Sequence, residues 1–166
     1  MKKFTRFFVI AIMVAVLLSL SGTAFAASLS KTFSMLPGAS GMGIVLTPGQ
    51  NNRDSTTARF AVSGIPSSAI IEKVEVNVGT YDTLAGVVTM NKLGLLSSTG
   101  AEATQTWGGV MNSWITFSGF TPTGDVNGAW DIWFNASYFT GYYIGTTFIA
   151  QAARSHKSAT LRITYR

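Results

Sequence analysis

Apolar side chains recur at every second residue in several segments of this chain, and that spacing constrains the fold more than any other feature. Successive side chains of a β-strand point to opposite faces, so this alternation predicts strands with one buried and one exposed face. After residue 26, helical spacing is not sustained over three turns anywhere. The clearest apolar faces are Ala58, Phe60 and Val62; Ile70, Val74, Val76 and Val78, opposed by Lys73, Glu75 and Asn77; and Ala159, Leu161, Ile163 and Tyr165.

Weaker segments bring the prediction to about nine short strands, separated by clusters of Gly, Pro, Asn and Ser that end strands. The weaker segments are Phe33 with Met35, 44–47, 87–93, 113–117, 130–134 and 144–150. We therefore expect an all-β fold, a two-layer antiparallel β-sandwich that forms a single domain over residues 27–166. Long loops and few tight hairpins favour a jelly roll, and an immunoglobulin-like sandwich is the alternative.

The first 26 residues have the features of a signal peptide. Three basic residues precede an apolar run, residues 7–18, which is shorter than the roughly 20 residues that a membrane-spanning helix needs. Ala24 and Ala26 then place small side chains where signal peptidase requires them. We expect a signal helix, residues 1–26, that is removed after Ala26, with no lasting membrane anchor. The product is then secreted, and extracellular or associated with the cell wall.

The charge that remains after residue 26 is small. The whole chain has 12 basic and 7 acidic residues and a formal charge of +5, but three basic residues lie in the signal, which leaves +2. This low charge, with no DNA or RNA motif, argues against nucleic acid as a partner. The absence of cysteine excludes a disulfide framework and thiolate metal ligands, and with the short Lys-rich signal it favours a bacterial source.

Two segments share a pattern with one family of exported domains. The first is VSGIPSSAIIEKVEV, residues 62–76, and the second is residues 120–132, which contain GDVNGAWDI. They resemble the β-sandwich P domain that is appended to subtilisin-type proteases. No protease domain precedes them here, and about 35 residues follow Trp130, where the pattern of that family closes sooner. The resemblance implies a jelly-roll fold and carries no activity over to this chain.

The predicted strand around Trp133 provides a candidate ligand-binding site. Alternation separates Trp130 from Trp133, which shares its face with a carboxylate and an amide. An indole stacks on the C–H face of a sugar, and neighbouring polar groups bond its hydroxyls. If the second sheet lies on the other side, Trp133 is core and Trp130 is exposed. The candidate residues, including three tyrosines expected in the next loop, are Asp131, Trp133, Asn135, Tyr138, Tyr142 and Tyr143.

The carboxy-terminal part of the chain predicts a basic surface. No acidic residue follows Asp131, whereas four basic residues do. Such a surface attracts anionic polymers, for example wall phosphates, with a force that salt screens over about 8–10 Å. A solvated face without a partner is the alternative. The residues of this predicted anionic-polymer patch are Arg154, Lys157, Arg162 and Arg166.

Oxygen ligands for a cation are grouped in one glycine-rich loop. Asp125, Asn127 and Asp131 supply three such ligands, so a calcium site is one interpretation of this loop. The loop lacks the distal bidentate Glu of a helix-loop-helix calcium site, and the alternative is a turn in which Asp and Asn bond their own backbone. No other cofactor is expected.

No set of residues points to catalysis. His156 is the one histidine, no nearby acid follows it to orient it, and we expect it in a solvated loop. The leading hypothesis is therefore a secreted, non-catalytic module that binds an extracellular carbohydrate or cell-wall polymer. The alternative is a structural or assembly subunit of the cell surface, for which self-association is expected. An enzyme ranks third, and the aromatic-rich segment 130–148 is more simply a packed core than a membrane-inserting element.

Overall fold

The computed structural model describes residues 27–36, 41–85 and 88–166, so the expected signal peptide lies outside the described residues. Within these ranges the chain has no helix, and therefore none that is long and apolar enough to cross a membrane. The described strands are β1 (Leu29–Ser34), β2 (Met42–Leu46), β3 (Gln50–Asp54), β4 (Ala58–Val62), β5 (Ile71–Val78), β6 (Tyr81–Ala85), β7 (Thr89–Leu96), β8 (Glu102–Thr106), β9 (Trp114–Thr116), β10 (Gly128–Tyr138), β11 (Tyr142–Ile144), β12 (Thr147–Ile149), β13 (Ala152–His156) and β14 (Ala159–Tyr165).

A four-stranded antiparallel sheet holds the first and last of these strands side by side, in the order β1-β14-β5-β9. The four apolar residues that alternation assigns to the inner face of β14 are all buried, as predicted. The three valines of β5 are buried as well, whereas Ile70 precedes the strand and is exposed. The outward residues of β14 and β5 are polar or charged, so this sheet has the one wet face that the sequence predicts.

A five-stranded antiparallel sheet is built around β10, the longest described strand, whose even-numbered residues from Trp130 to Tyr138 are apolar and buried. On one side β10 pairs with β7, which pairs with β8. On the other side it pairs with two short strands in succession, β4 along its first half and β3 along its second. Trp130, Ile132 and Phe134 are fully buried, so the second sheet covers this face of β10 and not the face that carries Trp133.

Two smaller units complete the fold, a three-stranded sheet in the order β2-β13-β6 and a hairpin of β11 and β12. The segment 144–150, predicted as one strand, instead turns at Gly145 and forms part of this hairpin. Sequence periodicity also missed β3, whose residues are all polar, and β8, β6 and β13. β3 and β8 are edge strands without buried residues, so they have no apolar alternation to detect, and the structure has more strands than the nine predicted.

One hydrophobic core joins the sheets. It contains inward residues of both large sheets together with Trp107, Phe117 and Phe120 from the connecting segments. The ring of Phe120 packs edge-on against Trp130 of β10 at 6.1 Å. The described chain is thus all-β, with antiparallel sheets around a shared core, and this β-sandwich-like fold confirms the prediction of an all-β class.

Candidate functional site

The outward face of the five-stranded sheet carries an indole that lies against a glycine. Trp133 of β10 is opposite Gly94 of β7, and a Cβ atom at position 94 would come within 2.2 Å of the indole Cε2. One face of the ring therefore covers the backbone of β7. Trp133 stays partly exposed, and among the described residues no cation lies over its ring. We call the surface formed by Arg59, Gly94, Asp131, Trp133 and Asn135 the Trp133 face.

An ion pair flanks the indole. Asp131 is opposite Arg59 of β4, and the guanidinium donates two hydrogen bonds to the carboxylate, Nε to Oδ1 at 2.7 Å and Nη2 to Oδ2 at 3.0 Å. The hydrogen bond and charge of Asp131 raise the pKa of Arg59. This two-point geometry orients both groups, and Arg59 stays largely exposed. Its remaining N–H groups and the remaining carboxylate lone pairs are available to a ligand.

The amide on the other side of Trp133 is held more tightly. Asn135 is buried, its Nδ2 donates to Asp54 Oδ1 at 2.7 Å, and its Oδ1 accepts from Asn91 Nδ2 at 2.9 Å. Asn91 also donates to the Ser137 hydroxyl at 2.9 Å. Asn135 therefore connects strands β3, β10 and β7 and holds its neighbours in place, so its own amide has little capacity left for a ligand.

Polar side chains continue the same face across the outermost strand. Thr104 of β8 is opposite Gly94, so it lies on the row that also contains Trp133. Glu102 and Thr106 lie on the same face of β8, and all three are exposed. Strands are spaced about 4.8 Å apart, so these groups lie roughly 10 Å from β10, beyond the edge of the indole. The result is a flat apolar plate between polar groups on both sides.

The three tyrosines differ in exposure. Tyr138 is the last residue of β10, not a loop residue, and it is buried with its hydroxyl donating to the Ile149 carbonyl at 2.9 Å. Burial raises its pKa. Tyr142 and Tyr143 are exposed on β11, in the hairpin sheet. The prediction that all three rings extend the platform from one loop is therefore wrong for Tyr138. The inward face of β10 consists of its even-numbered residues and continues to Tyr138.

The four basic residues of the predicted anionic-polymer patch already have partners. Three of them pair with carboxylates that precede them far back in the sequence: Lys157 with Asp82 at 2.6 Å, Arg162 with Glu75 at 2.8 Å, and Arg166 with Glu72 at 3.3 Å. The fourth, Arg154, packs over the ring of Tyr81 at 3.9 Å and donates to the Gly109 carbonyl. Strand pairing thus brings acids from earlier strands to three of the four cations, whereas Arg154 is held by a ring and a carbonyl.

The side chains of the predicted calcium loop form hydrogen bonds within a turn, to the backbone of Ile65 and to Arg59. Asp125 Oδ1 accepts from the backbone N–H of Asn127 at 3.1 Å and from its Nδ2 at 2.6 Å. The Asn127 amide also bonds both the N–H and the carbonyl of Ile65, at 3.0 and 2.8 Å. Asp131 pairs with Arg59 instead. In the described ranges, no group of three or more His, Cys, Asp or Glu side chains is arranged to hold a metal.

His156 is the most unexpected of the residues that the sequence singled out. It is fully buried, not solvated, and its ring lies among those of Trp107, Phe134 and Tyr81 at 5.4 to 5.7 Å. Its Nε2 accepts from Arg154 Nε at 2.9 Å, and its Nδ1 lies 3.0 Å from the Gly79 carbonyl, to which it donates in the neutral tautomer. Burial lowers its pKa to about 4, so the ring is neutral at pH 7.

A second tryptophan lies on the outward face of the four-stranded sheet, and a cation covers it. The guanidinium of Arg162 lies 4.0 Å from the ring centre of Trp114 and bonds Glu75, whose other oxygen pairs with Lys73 at 2.7 Å. Burial alone would raise the pKa of Glu75, but the hydrogen bonds from Arg162 and Lys73 outweigh it and lower the pKa. We call Lys73, Glu75, Trp114, Thr116 and Arg162 the Trp114 face.

The Trp133 face combines a partly exposed aromatic ring with hydrogen-bond donors and acceptors at fixed positions. No family model matches the chain, and no curated protein matches its sequence. Sequence reasoning found three members of this face and missed Arg59 and Gly94, which only the pairing register of β4 and β7 with β10 brings to Trp133.

Proposed function

We propose that this protein is an exported, non-catalytic module that binds an extracellular carbohydrate or cell-wall polymer on its Trp133 face. The observation that carries the proposal is the indole of Trp133, which lies against Gly94, stays partly exposed and has no described cation over its ring. A sugar presents a C–H face to such a ring and hydroxyls at its rim. The ion pair of Arg59 with Asp131 lies where those hydroxyls need both donors and acceptors.

The proposed roles follow from the contacts. Trp133 is the stacking plate, Gly94 is its seat, and the pair of Asp131 with Arg59 bonds ligand hydroxyls. Asn135 positions the strand because its amide is already bonded on both sides. Since β-strands carry the ring and the ion pair, the site is formed before the ligand arrives, which lowers the entropic cost of binding.

The strand order supports the jelly roll as the finer architecture. With β3 and β4 counted as one interrupted strand, eight strands remain once β2, β6, β13 and the hairpin are set aside as insertions. The four-stranded sheet then takes the first, eighth, third and sixth of these strands, and the five-stranded sheet takes the second, seventh, fourth and fifth. Adjacency of the first and last strands and this exchange between two sheets are what two nested Greek keys produce.

Export is part of the proposal, because a module of this kind meets its polymer outside the cell. We expect the secreted product to begin at Ala27, since Ala24 and Ala26 fit the peptidase pocket. The intact mass of protein recovered from culture medium tests this. A product that keeps Met1 and stays with the membrane fraction contradicts export.

The function is tested by comparing two tryptophan variants for retention on insoluble cellulose, chitin and peptidoglycan. Trp133→Ala removes the open plate and should abolish retention on whichever polymer binds the wild type. Trp114→Ala is the matched control, since it removes an indole of the other outward face that Arg162 already covers, and it should retain binding. Wild-type protein that binds none of the polymers rejects the proposal, and so does equal loss in both variants.

The second candidate, a structural or assembly subunit of the cell surface, has support from β1. This strand is at the edge of the four-stranded sheet and carries Leu29, which is mostly exposed. An edge strand presents backbone groups that a neighbouring chain can pair with. Sedimentation over a range of protein concentrations distinguishes the two functions, because an assembly subunit forms larger species where a polymer-binding module stays a monomer.

A further inference from the structure

The hairpin of β11 and β12 exposes large apolar side chains. Its two strands pair with each other, and in the part of the chain that the structure describes they form a separate two-stranded sheet. Tyr143 is 69% exposed and Ile144 is 62% exposed, fractions usually found for charged residues. The exposed apolar residues of this region are Phe139, Tyr142, Tyr143, Ile144 and Phe148.

Both faces of the hairpin are open. Tyr143 and Phe148 are cross-strand partners whose rings are 5.1 Å apart, and they lie on one face. Tyr142 and Ile144 lie on the other face by alternation, and they too are exposed. A hairpin that packs on its own domain, or on the flat surface of a protein partner, buries alternate residues. This one has an apolar residue to bury on each side.

The hairpin lies in a stretch without charge. No Asp, Glu, Lys or Arg occurs between Asp131 and Arg154, so neither strand nor either connection carries an ion that resists transfer out of water. Tyrosine and phenylalanine dominate its exposed surface, and amphipathic aromatic rings are enriched where proteins meet the headgroup region of a bilayer. A lipid environment can contact both faces of the hairpin at once, and it favours a segment without charge.

The base of the hairpin is fixed to the domain. The Tyr138 hydroxyl donates to the carbonyl of Ile149, and the ring of Phe148 lies so close to Gly141 that a Cβ there would come within 2.5 Å of it. The N–H of Gly49 bonds the carbonyls of Tyr138 and Phe139, where β10 ends. The exposed rings are thus presented by a rigid strand and not by a free tail.

We infer that the β11–β12 hairpin inserts into the interfacial layer of a lipid bilayer. Each strand has three residues, about 10 Å of chain, which is less than the hydrocarbon thickness of roughly 30 Å. The outer edges of a two-stranded hairpin also carry backbone groups that hydrocarbon cannot satisfy. The hairpin therefore lies at the headgroup boundary, where water reaches those groups. Because it has no charge, its binding depends weakly on salt and on anionic lipid.

The experiment is co-sedimentation of the secreted protein with phosphatidylcholine vesicles, and with vesicles of equal parts phosphatidylcholine and phosphatidylglycerol, at low and high salt. The test variant combines Tyr143→Ser, Ile144→Ser and Phe148→Ser. The matched control combines Leu29→Ser, Ile70→Ser and Val110→Ser, three apolar residues of similar exposure elsewhere on the surface. All three proteins share one amino terminus, so any contribution of residues 1–26 cancels in the comparison.

We expect the wild type and the control to sediment with both kinds of vesicle at both salt concentrations. The partition coefficient of the hairpin variant should fall at least about tenfold, because buried apolar surface sets the affinity of an uncharged interfacial element. Melting curves of the variants check that each is folded, and the single variant Ile144→Ser replaces the triple variant if that protein is not. Wild type that stays in the supernatant overturns the inference. So does equal binding by hairpin variant and control, or a dimer in ultracentrifugation that only the hairpin substitutions dissociate.

Discussion

The two large sheets each carry a tryptophan, an arginine and a carboxylate on the outward face, yet they arrange them differently. On the Trp133 face the arginine bonds the carboxylate beside the ring, and no described cation lies over the ring, although Trp133 is less exposed than Trp114. On the Trp114 face the arginine bonds the carboxylate and also stacks over the ring at 4.0 Å. The two faces are similar in composition, and they differ in whether a cation of the same chain lies over the ring. For that reason we propose Trp133, and not Trp114, as the stacking plate.

Among these predictions, the largest change in the free energy of unfolding is expected from acid, which acts on the inward side of β10. His156, behind the inward face of β10, has a pKa of about 4 against an ordinary 6.5, so the unfolded chain takes up a proton that the folded chain refuses. The free energy of unfolding should therefore fall as pH drops from 6.5 to 4, by up to about 2–3 kcal/mol. Urea unfolding at a series of pH values measures this. His156→Gln should flatten the curve in that window, and an unchanged slope contradicts the assignment.

On the Trp114 face, a substitution that removes charge without changing shape should lower the free energy of unfolding. Glu75→Gln leaves Arg162 and Lys73 without their carboxylate, and we expect a loss of about 1–2 kcal/mol at pH 7. The pKa of Glu75 is lowered in the folded state, so its contribution is present above its unfolded pKa and is lost as pH falls through the folded value. The variant and the wild type should therefore converge in stability at low pH. Retention on polymer should not change, because this face is not the proposed site.

Gly94→Ala changes the Trp133 face by adding a methyl group beneath the indole. The new methyl group would overlap the indole, so Trp133 must tilt away from β7 while every polar group of the face stays in place. We expect retention to drop about tenfold and stability to fall by about 1 kcal/mol. Gly100→Ala is a poor control because Gly100 has a positive φ, whereas Gly108→Ala adds a methyl group in open space. Full retention in Gly94→Ala means that the seat of the ring is unimportant.

The smallest effect on stability is expected from Arg59→Ala. Ion pairs that are open to solvent contribute little to folding, so the melting temperature should remain close to that of the wild type. Retention should nevertheless weaken, because the variant removes donors next to the plate and releases the Asp131 side chain. Lys157→Ala, which removes a cation from another exposed ion pair, is the matched control. Equal retention in both variants would show that the plate acts without the ion pair.

The sequence predicts those features of the structure that depend on residues close together in the chain. Alternation identified the inner face of β14, and in β10 it separated Trp130 from Trp133, because burial follows period two along one strand. Which of the two tryptophans is in the core depends on the side that the second sheet covers, and the sequence left that open. The seat of Trp133 and the pairing of Asp131 with Arg59 depend on register between strands that are distant in the chain, which no local pattern encodes. For the same reason the four carboxy-terminal cations looked unneutralised until pairing brought Glu75, Glu72 and Asp82 beside three of them.

For His156, by contrast, the local sequence itself led to a wrong prediction. Its neighbours in sequence, Arg154, Ser155 and Lys157, suggest a polar loop, but β13 is the central strand of a three-stranded sheet. Alternation was hidden there because the inward positions hold an arginine and a histidine in place of apolar residues. Their mutual hydrogen bond, the Gly79 carbonyl and the surrounding aromatic rings are what allow two ionisable side chains to face inward.

The pairing of β1 with β14 also has a consequence for the timing of folding. Leu29 is opposite Tyr165, so the first strand finds its partner only when the last strand has been synthesised. The central strand β10 likewise closes on β3 and β4, whose paired residues lie 66 to 88 positions earlier. Contacts of such long range make a chain slow to fold, on the order of milliseconds to seconds. The four-stranded sheet therefore cannot be completed before β14 has been synthesised, and until then β1 is an unpaired strand that chaperones can reach.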